Sequence, residues 1–317
     1  MMNRRHFLHE TSLTASAAAV FSAMGTLPAS RLWAENVPDF VQRPGKAVID
    51  KVPDAAAIAR MKSIGLDGME ITGPIEIDKA KAIRKEAEKQ DFKIHSVMGG
   101  GSIERLAAAA EIGATAALVI PGRVSGVPMP QPWEFSLKFD EKSNRLIEVV
   151  DGDNAPFADY IAEHNKQMEK ARKFVESLMP AAEKYGVVIA LENVWNNMWV
   201  HPAFAANFIK SFDSPWVQAY FDVANNLKYY PNAEDWFDHL NGKIIRVHFK
   251  DFLLNEDGHG GNFVPIMEGS VNWLKVRQKM IETGFSTWVT VEIHGRVISH
   301  EEQSKRMSLI LDGKPLA

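Results

Sequence analysis

Apolar runs of four to six residues alternate with longer amphipathic segments from Lys46 to the C-terminus. The runs are 47–50, 68–72, 93–97, 116–120, 187–192, 217–222, 244–248 and 288–292. Near-continuous apolar runs of this length are the signature of strands buried on both faces. Between them, residues 54–64, 78–90, 103–112, 156–184, 201–211, 232–240, 270–283 and 300–311 carry helical spacing. Eight strands and eight helices in strict alternation predict an α/β protein, the (β/α)8 barrel. The first strand is the weakest of the eight, which leaves room for a rearranged entry. One connection is out of scale: residues 121–155, rich in Pro, Gly, Asn and Asp. An excursion of that length is expected to be functional. It leaves the C-terminal end of strand four, so it is predicted to lie over the barrel mouth as a lid, with a small hairpin formed by 135–139 and 145–150.

The last four runs each end on a residue that can ligate a metal. VVIALE closes on Glu192, VQAYFD on Asp222, IIRVH on His248 and WVTVE on Glu292. In a parallel barrel, the C-terminal strand ends converge on one mouth, where active sites are built. Three carboxylates and one imidazole meeting there predict one divalent ion, with Mn, Mg, Co and Zn all compatible. Coordination positions left open would accept a substrate chelating through adjacent hydroxyl and carbonyl oxygens. The ion would stabilise charge on the carbonyl oxygen and acidify the alpha proton. Glu192 and Glu292 flank the other two ligands, so they can approach a substrate from different sides as an acid/base pair.

Composition narrows the field. There is no cysteine, which excludes disulfides, zinc–thiolate sites and thiol catalysis. The formal charge of −4 and the lack of a basic block argue against a nucleic-acid partner. The N-terminus reads as a cleaved export segment: Arg4-Arg5-His6-Phe7-Leu8 resembles a twin-arginine signal, followed by an Ala-rich stretch too short to span a membrane. Cleavage is expected after Ala34, giving a signal at 1–34, a barrel at 35–317 and a periplasmic location.

The flanking residues resemble a family. LENVWN at 191–196, YFDVAN at 220–225, RVHFKD at 246–251, EGSVNW at 268–273 and TVE at 290–292 are similar to the xylose-isomerase-like TIM-barrel superfamily. Within it they look most like the sugar-phosphate isomerase/epimerase branch, with its ketose and pentulose-phosphate 3-epimerases. The likeness is strong from 187 onward and looser over 54–124. It implies that Glu192, Asp222, His248 and Glu292 hold the metal, that the two glutamates move protons through an enediolate, and that Asn225 contacts substrate. Two departures bear on the substrate. Position 198 is Met where free-ketose epimerases tend to carry Glu, and the loop after strand three is a short GGGS.

Other candidates are His95 and Glu70 as pocket residues near the ends of strands three and two, and Trp195 as a stacking surface. Lys250 is a further substrate-contact candidate, although an ion pair with Asp251 that shapes the loop is expected of it. Arg123 could meet an anionic group, Glu268 is expected to stabilise a loop, and Gly99–Gly101 is expected to be a flexible turn. The predicted function is sugar isomerisation or epimerisation, and the export segment points to a free or keto sugar. A lyase, hydrolase or dehydratase of keto-glycosides would use the same residues. An abasic-site endonuclease is disfavoured by the acidic charge and the single ligand histidine. A non-enzymatic sugar-binding protein is the remaining alternative. No membrane span is expected, and the sequence leaves homo-oligomerisation open.

Overall fold

The computed structural model describes residues 38–316; the predicted export segment lies outside them. Eight parallel strands close into a barrel: β1 (Gly45–Asp50), β2 (Gly68–Ile71), β3 (Lys93–Val97), β4 (Ala116–Val119), β5 (Val188–Glu192), β6 (Val217–Asp222), β7 (Ile244–Phe249) and β8 (Trp288–Val291). The ring runs β1-β8-β7-β6-β5-β4-β3-β2 and closes between β2 and β1. The entry is not rearranged: β1 pairs with β8 from Gly45 to Val48 and with β2 from Ala47 to Asp50. Helices α1 (Ala55–Ser63), α2 (Ile77–Lys89), α3 (Ile103–Ile112), α4 (Ala158–Tyr185), α5 (Pro202–Lys210), α6 (Asp235–His239), α7 (Trp273–Glu282) and α8 (His300–Leu311) follow the strands in turn. None of the helices among the described residues is long and apolar enough to cross a membrane.

Strand alternation sorts side chains into two layers. Phe221 and Phe249 face outward and pack on Trp236 (5.5 Å) and Trp273 (4.9 Å) of the helix layer. Their neighbours Tyr220, Asp222 and His248 face inward and are fully buried. Each buried aromatic of the outer layer contributes about 2–3 kcal/mol, so the helices hold the strands in place while the inner positions remain available for polar groups.

Helix starts follow capping chemistry. Asp54, Ser102, Asn272 and Ser299 each accept a hydrogen bond from a backbone N–H of the first turn of α1, α3, α7 and α8. Asn272 therefore starts α7 at Trp273, later than the expected 270. α6 is only five residues long, because Asn232–Glu234 form turns before it. The run Gly99–Gly101 is not merely a flexible turn: a Cβ on Gly100 would sit 2.5 Å from the Ala117 methyl, so the chain passes directly against β4.

Two hairpins decorate the mouth. Lys138–Asp140 pairs antiparallel with Arg145–Glu148 inside the long excursion after β4, as expected. Asp251–Leu254 pairs with Gly261–Val264 after β7, in a stretch that the sequence reading left without strands. The excursion reaches across the loops that follow β5, β6 and β7. Val124 donates its N–H to Asn196 O, Phe135 packs on Tyr229, and the Trp133 ring stacks on His259 at 4.2 Å.

Asp251 organises the loop after the second hairpin. It accepts from the backbone N–H groups of Phe252, Met267, Gly269 and Val271 and from the Trp273 indole. A Cβ on Gly269 would collide with the Asp251 carboxylate, so the EGS motif needs glycine there. The expected Lys250–Asp251 pair does not form, because these donors claim the aspartate. Asp251→Ala should cost about 2–4 kcal/mol, since buried N–H groups that lose their acceptor cost about 1–3 kcal/mol each. Urea unfolding measures this, and an unchanged midpoint would mean that the loop is held by other contacts.

Candidate metal centre and active site

Glu192 and Asp222 end β5 and β6, His248 is the penultimate residue of β7, and Glu292 follows β8 directly. The Glu292 N–H continues the ladder by donating to Phe249 O at 3.0 Å. One donor atom from each of the four residues falls within 4.8 Å of all the others. The four lie on four consecutive strands of the ring. Glu192, Asp222 and His248 are buried, and the Glu292 side chain is 14% exposed, which makes it the opening to solvent.

Local contacts aim these groups inward. Asp222 Oδ1 accepts the N–H groups of Ala224 and Asn225 at 2.8 and 2.7 Å, which turns Oδ2 toward the cluster. Glu70 Oε2 sits 2.7 Å from His248 Nε2. With the ring proton on Nε2 and donated to Glu70, Nδ1 presents its lone pair to Glu192 Oε1 at 3.3 Å and Glu292 Oε2 at 3.1 Å. Acceptor atoms then face acceptor atoms, and Asp222 Oδ2 and Glu292 Oε2 have no hydrogen-bond partner. That is the arrangement a cation satisfies, and two or more carboxylate oxygens with one imidazole fit a hard-to-borderline divalent ion. The titration behaviour agrees. Burial lifts the Asp222 pKa to about 7, Lys250 opposes the shift, and Glu292 and Glu192 add to it. Without an ion, burial would lower the His248 pKa, but Tyr220, Glu70, Glu192 and Glu292 raise it well above the ordinary imidazole value. Burial opposes ionisation of Glu292 too, but that imidazolium and Lys250 outweigh it and hold the carboxyl well below its usual range. A divalent ion would take the place of the Nδ1 proton.

The remaining expected residues divide. Asn225 joins the cluster: its Oδ1 accepts from Lys250 Nζ at 3.0 Å and its Nδ2 lies 3.5 Å from Glu192 Oε1. Lys250 also lies 3.2 Å from Glu292 and 3.6 Å from Asp222. Burial would lower its pKa, but the three carboxylates raise it above the ordinary lysine value. Trp195 forms the wall beside Asn225, donating its indole N–H to Asn225 O and packing against Phe263 with ring centres 4.8 Å apart.

Glu70 and His95 require correction as substrate contacts. Glu70 is fully buried behind His248, and it also accepts from Ser96 Oγ at 2.8 Å and Tyr220 OH at 3.0 Å. His95 lies deeper in the barrel, with Nδ1 taking the Arg246 Nε–H, Nε2 facing Thr290 Oγ1 and its ring stacked on Trp288. Burial lowers its pKa well below the ordinary imidazole value. Both lie below the mouth because the strand ends beyond them, Ile71-Thr72 and Val97-Met98, form the rim.

Three residues escaped the sequence reading. Tyr220 lies two positions before Asp222 and so shares its inward face, a signal that was available from alternation. Ser96 carried no such signal, because a bulge shifts the β2–β3 register next to it. His294, whose Nδ1 lies 3.5 Å from Glu292 Oε1, sits in a loop where spacing predicts nothing. A cavity of about 350 Å³ opens beside Glu292, lined by Ile49, Met98, Val291, Ile293, Val297 and His300. Glu268 binds Arg296 and Arg306, fastening the EGS loop to α8.

Comparison with known proteins agrees with this architecture. The chain resembles the solved structure of the 3-keto-D-glucoside 4-epimerase YcjR from E. coli, with a TM-score of 0.61 at 14% identity over 84% of this chain and 99% of that one. It resembles a D-tagatose 3-epimerase-like protein with a TM-score of 0.60 at 19% identity, covering 84% and 97%. A xylose isomerase-like TIM barrel protein from Mycobacterium smegmatis, solved with magnesium, gives a TM-score of 0.55 at 16% identity, covering 86% and 96%. At these identities the likeness is one of fold. An uncharacterized protein of Methanocaldococcus jannaschii is 26% identical over 123 residues, 37% of this chain, and the match spans only 41% of that relative. The sequence model of one family covers residues 58–311, nearly the whole barrel together with its four strand-end ligands, and on that match the chain belongs to the xylose isomerase-like TIM barrel family.

Proposed function

We propose that the protein is a divalent-metal-dependent isomerase or epimerase of a sugar, working by removal and return of a proton alpha to a carbonyl. The observation that carries this reading is the set of inward-facing acceptor atoms, two of them without partners, at the C-terminal mouth of the barrel. A divalent ion held by Glu192, Asp222, His248 and Glu292 would act as a Lewis acid on the substrate carbonyl. Glu192 and Glu292 stand at the two ends of the ligand arc, with β6 and β7 between them, so one takes the proton and the other returns it. Asn225 and Lys250 bridge between them and fix their orientation. The lid excursion and Trp195 screen the site from bulk water, which strengthens the electrostatic contribution of every charge in it.

The same first step followed by loss of a beta substituent would make the protein a lyase. The apolar walls of the cavity beside Glu292 would suit such a departing group. The two outcomes separate in one experiment. The protein is stripped with a chelator, reloaded with Mn, Mg, Co or Zn, and incubated with ketoses and keto-glycosides in heavy water. Deuterium entering the alpha carbon, with a new epimer or isomer, is the expected result, seen only with metal. Release of an aglycone would identify the lyase. No exchange with any sugar or metal would overturn the reading. Export is proposed as well, and fractionation of cells producing the full chain would place it in the periplasm.

A further inference from the structure

Lys228 is a cation without an acid. It lies in the loop between β6 and α6, half-buried, with its ammonium 3.4 Å from the centre of the Trp195 ring and 4.8 Å from that of Tyr229. Other half-buried cations of the chain donate to an oxygen: Lys46 to Ser304 and Ser308, Arg105 to Met98, Lys243 to Ser214. Lys228 forms no ion pair or hydrogen bond among the described residues. Burial alone moves its pKa, down to about 8, with no carboxylate near enough to restore it. Arg123 is brought to the same wall by its neighbour Val124, whose carbonyl accepts from Asn197 Nδ2, while Asn197 Oδ1 accepts from the Tyr229 hydroxyl. Arg123 opens the lid excursion after β4, is exposed, and its charge acts on the Tyr229 phenol. Among the described residues it too has no acid partner. Phe135 of the lid packs on Tyr229, so both cations sit at the root of the lid.

The position relative to the metal centre gives this pair a use. Trp195 carries Lys228 on its ring, packs against Phe263 and donates to Asn225, which touches both Glu192 and Lys250. Lys228 follows β6 and Arg123 follows β4, so the two lie on the loops to either side of the Glu192 strand, at the Trp195 wall of the cluster. A partly desolvated ammonium with no counter-charge raises the local potential and favours an anion. In a chain with more acidic than basic residues, carboxylates were available to neutralise it, yet none is placed there.

We propose that Lys228 and Arg123 form a subsite for an anionic group, a carboxylate or a phosphate ester, at the end of the sugar remote from the reacting carbonyl. This rests on the isomerase reading and narrows its substrate class to acidic sugars. An ammonium and a guanidinium would both bind either group through charge-assisted hydrogen bonds. The metal-loaded full chain is tested by calorimetric titration and solvent exchange with a hexulose, its 6-phosphate and the corresponding hexuluronate. Preference for one or both anionic forms by tenfold or more is expected, and comparing the phosphate with the carboxylate identifies which group is bound. Lys228→Met and Arg123→Gln should each reduce that preference at least several-fold by raising KM, with kcat little changed, and Lys228→Glu should abolish it. Melting temperature and metal content of each variant exclude loss of fold. Equal use of neutral and anionic sugars, or a preference unaffected by all three substitutions, would overturn the subsite while leaving the isomerase reading intact. Anion binding lost in Lys228→Glu without exchange of any sugar would support the subsite and overturn the isomerase.

Discussion

Glu192→Gln and Glu292→Gln should each lower alpha-proton exchange by about 10²–10⁴-fold, the range over which a positioned acid or base acts. Glutamine keeps the volume and one oxygen directed at the cluster, but it cannot accept or return a proton. The two variants are not expected to be alike in metal content. Glu292 is flanked by Lys250 and His294, and replacing it removes the charge that balances them. Glu192 faces Asn225 and His248, so its loss leaves a smaller imbalance. Metal analysis beside exchange kinetics separates the two effects. A variant that keeps its metal and loses exchange has lost proton transfer, whereas one that loses both has lost a ligand. Full exchange in either variant would remove that glutamate from the chemistry.

Glu70→Gln should weaken metal binding by about 10–100-fold, the usual effect of removing a histidine's outer partner. Glu70 touches no open position of the site. It acts by fixing the His248 proton on Nε2 and so presenting Nδ1 to the carboxylates. Its carboxylate also accepts from Ser96 and Tyr220, which fix its orientation. An amide in its place can direct either its NH2 or its oxygen at Nε2. If the NH2 turns inward, the imidazole tautomer reverses and Nδ1 carries the proton. Competitive metal titration reads the affinity directly, without any substrate. Histidine NMR of the metal-free protein reads the tautomer, which a merely structural role for Glu70 would leave unchanged. Wild-type affinity in this variant would show that the His248 ring is held by packing against Tyr220, whose ring lies 4.2 Å away.

Much of this site was legible because it lies on strands. Apolar runs marked the strand ends, barrel topology brought those ends together, and the membership of the Glu192, Asp222, His248 and Glu292 cluster followed from residue type alone. Depth within the barrel was harder to read. Glu70 and His95 have the residue types of a sugar pocket, yet each lies below the rim, where neighbouring inward side chains take up its hydrogen bonds. Sequence spacing places a residue on a face but does not fix how many residues of strand remain above it. Loops were harder still. The hairpin after β7 went unseen because DGHGG dominates the local composition, and the Lys250–Asp251 pairing failed because the donors to Asp251 come from residues up to 22 positions away. Capping moved helix boundaries by a few residues for the same reason: one side-chain hydrogen bond outweighs a weak periodic trend.

The ring order has a further consequence. Because the four cluster residues occupy β5 to β8 without interruption, they fill one semicircle of the mouth and leave β1 to β4 free of them. The coding sequence is divided the same way: a C-terminal half that holds the whole cluster and an N-terminal half that holds none of it. The lid excursion belongs to the second half, and so do Ile49 and Met98 of the apolar cavity. Exchange of segments between relatives at the junction before β5 would therefore transplant the lid and leave the four cluster residues in place, provided the incoming half keeps a glutamate behind His248 as Glu70 is here. Half-barrel chimaeras that keep that glutamate should hold an ion at unchanged affinity, whereas those that lack it should bind it more weakly.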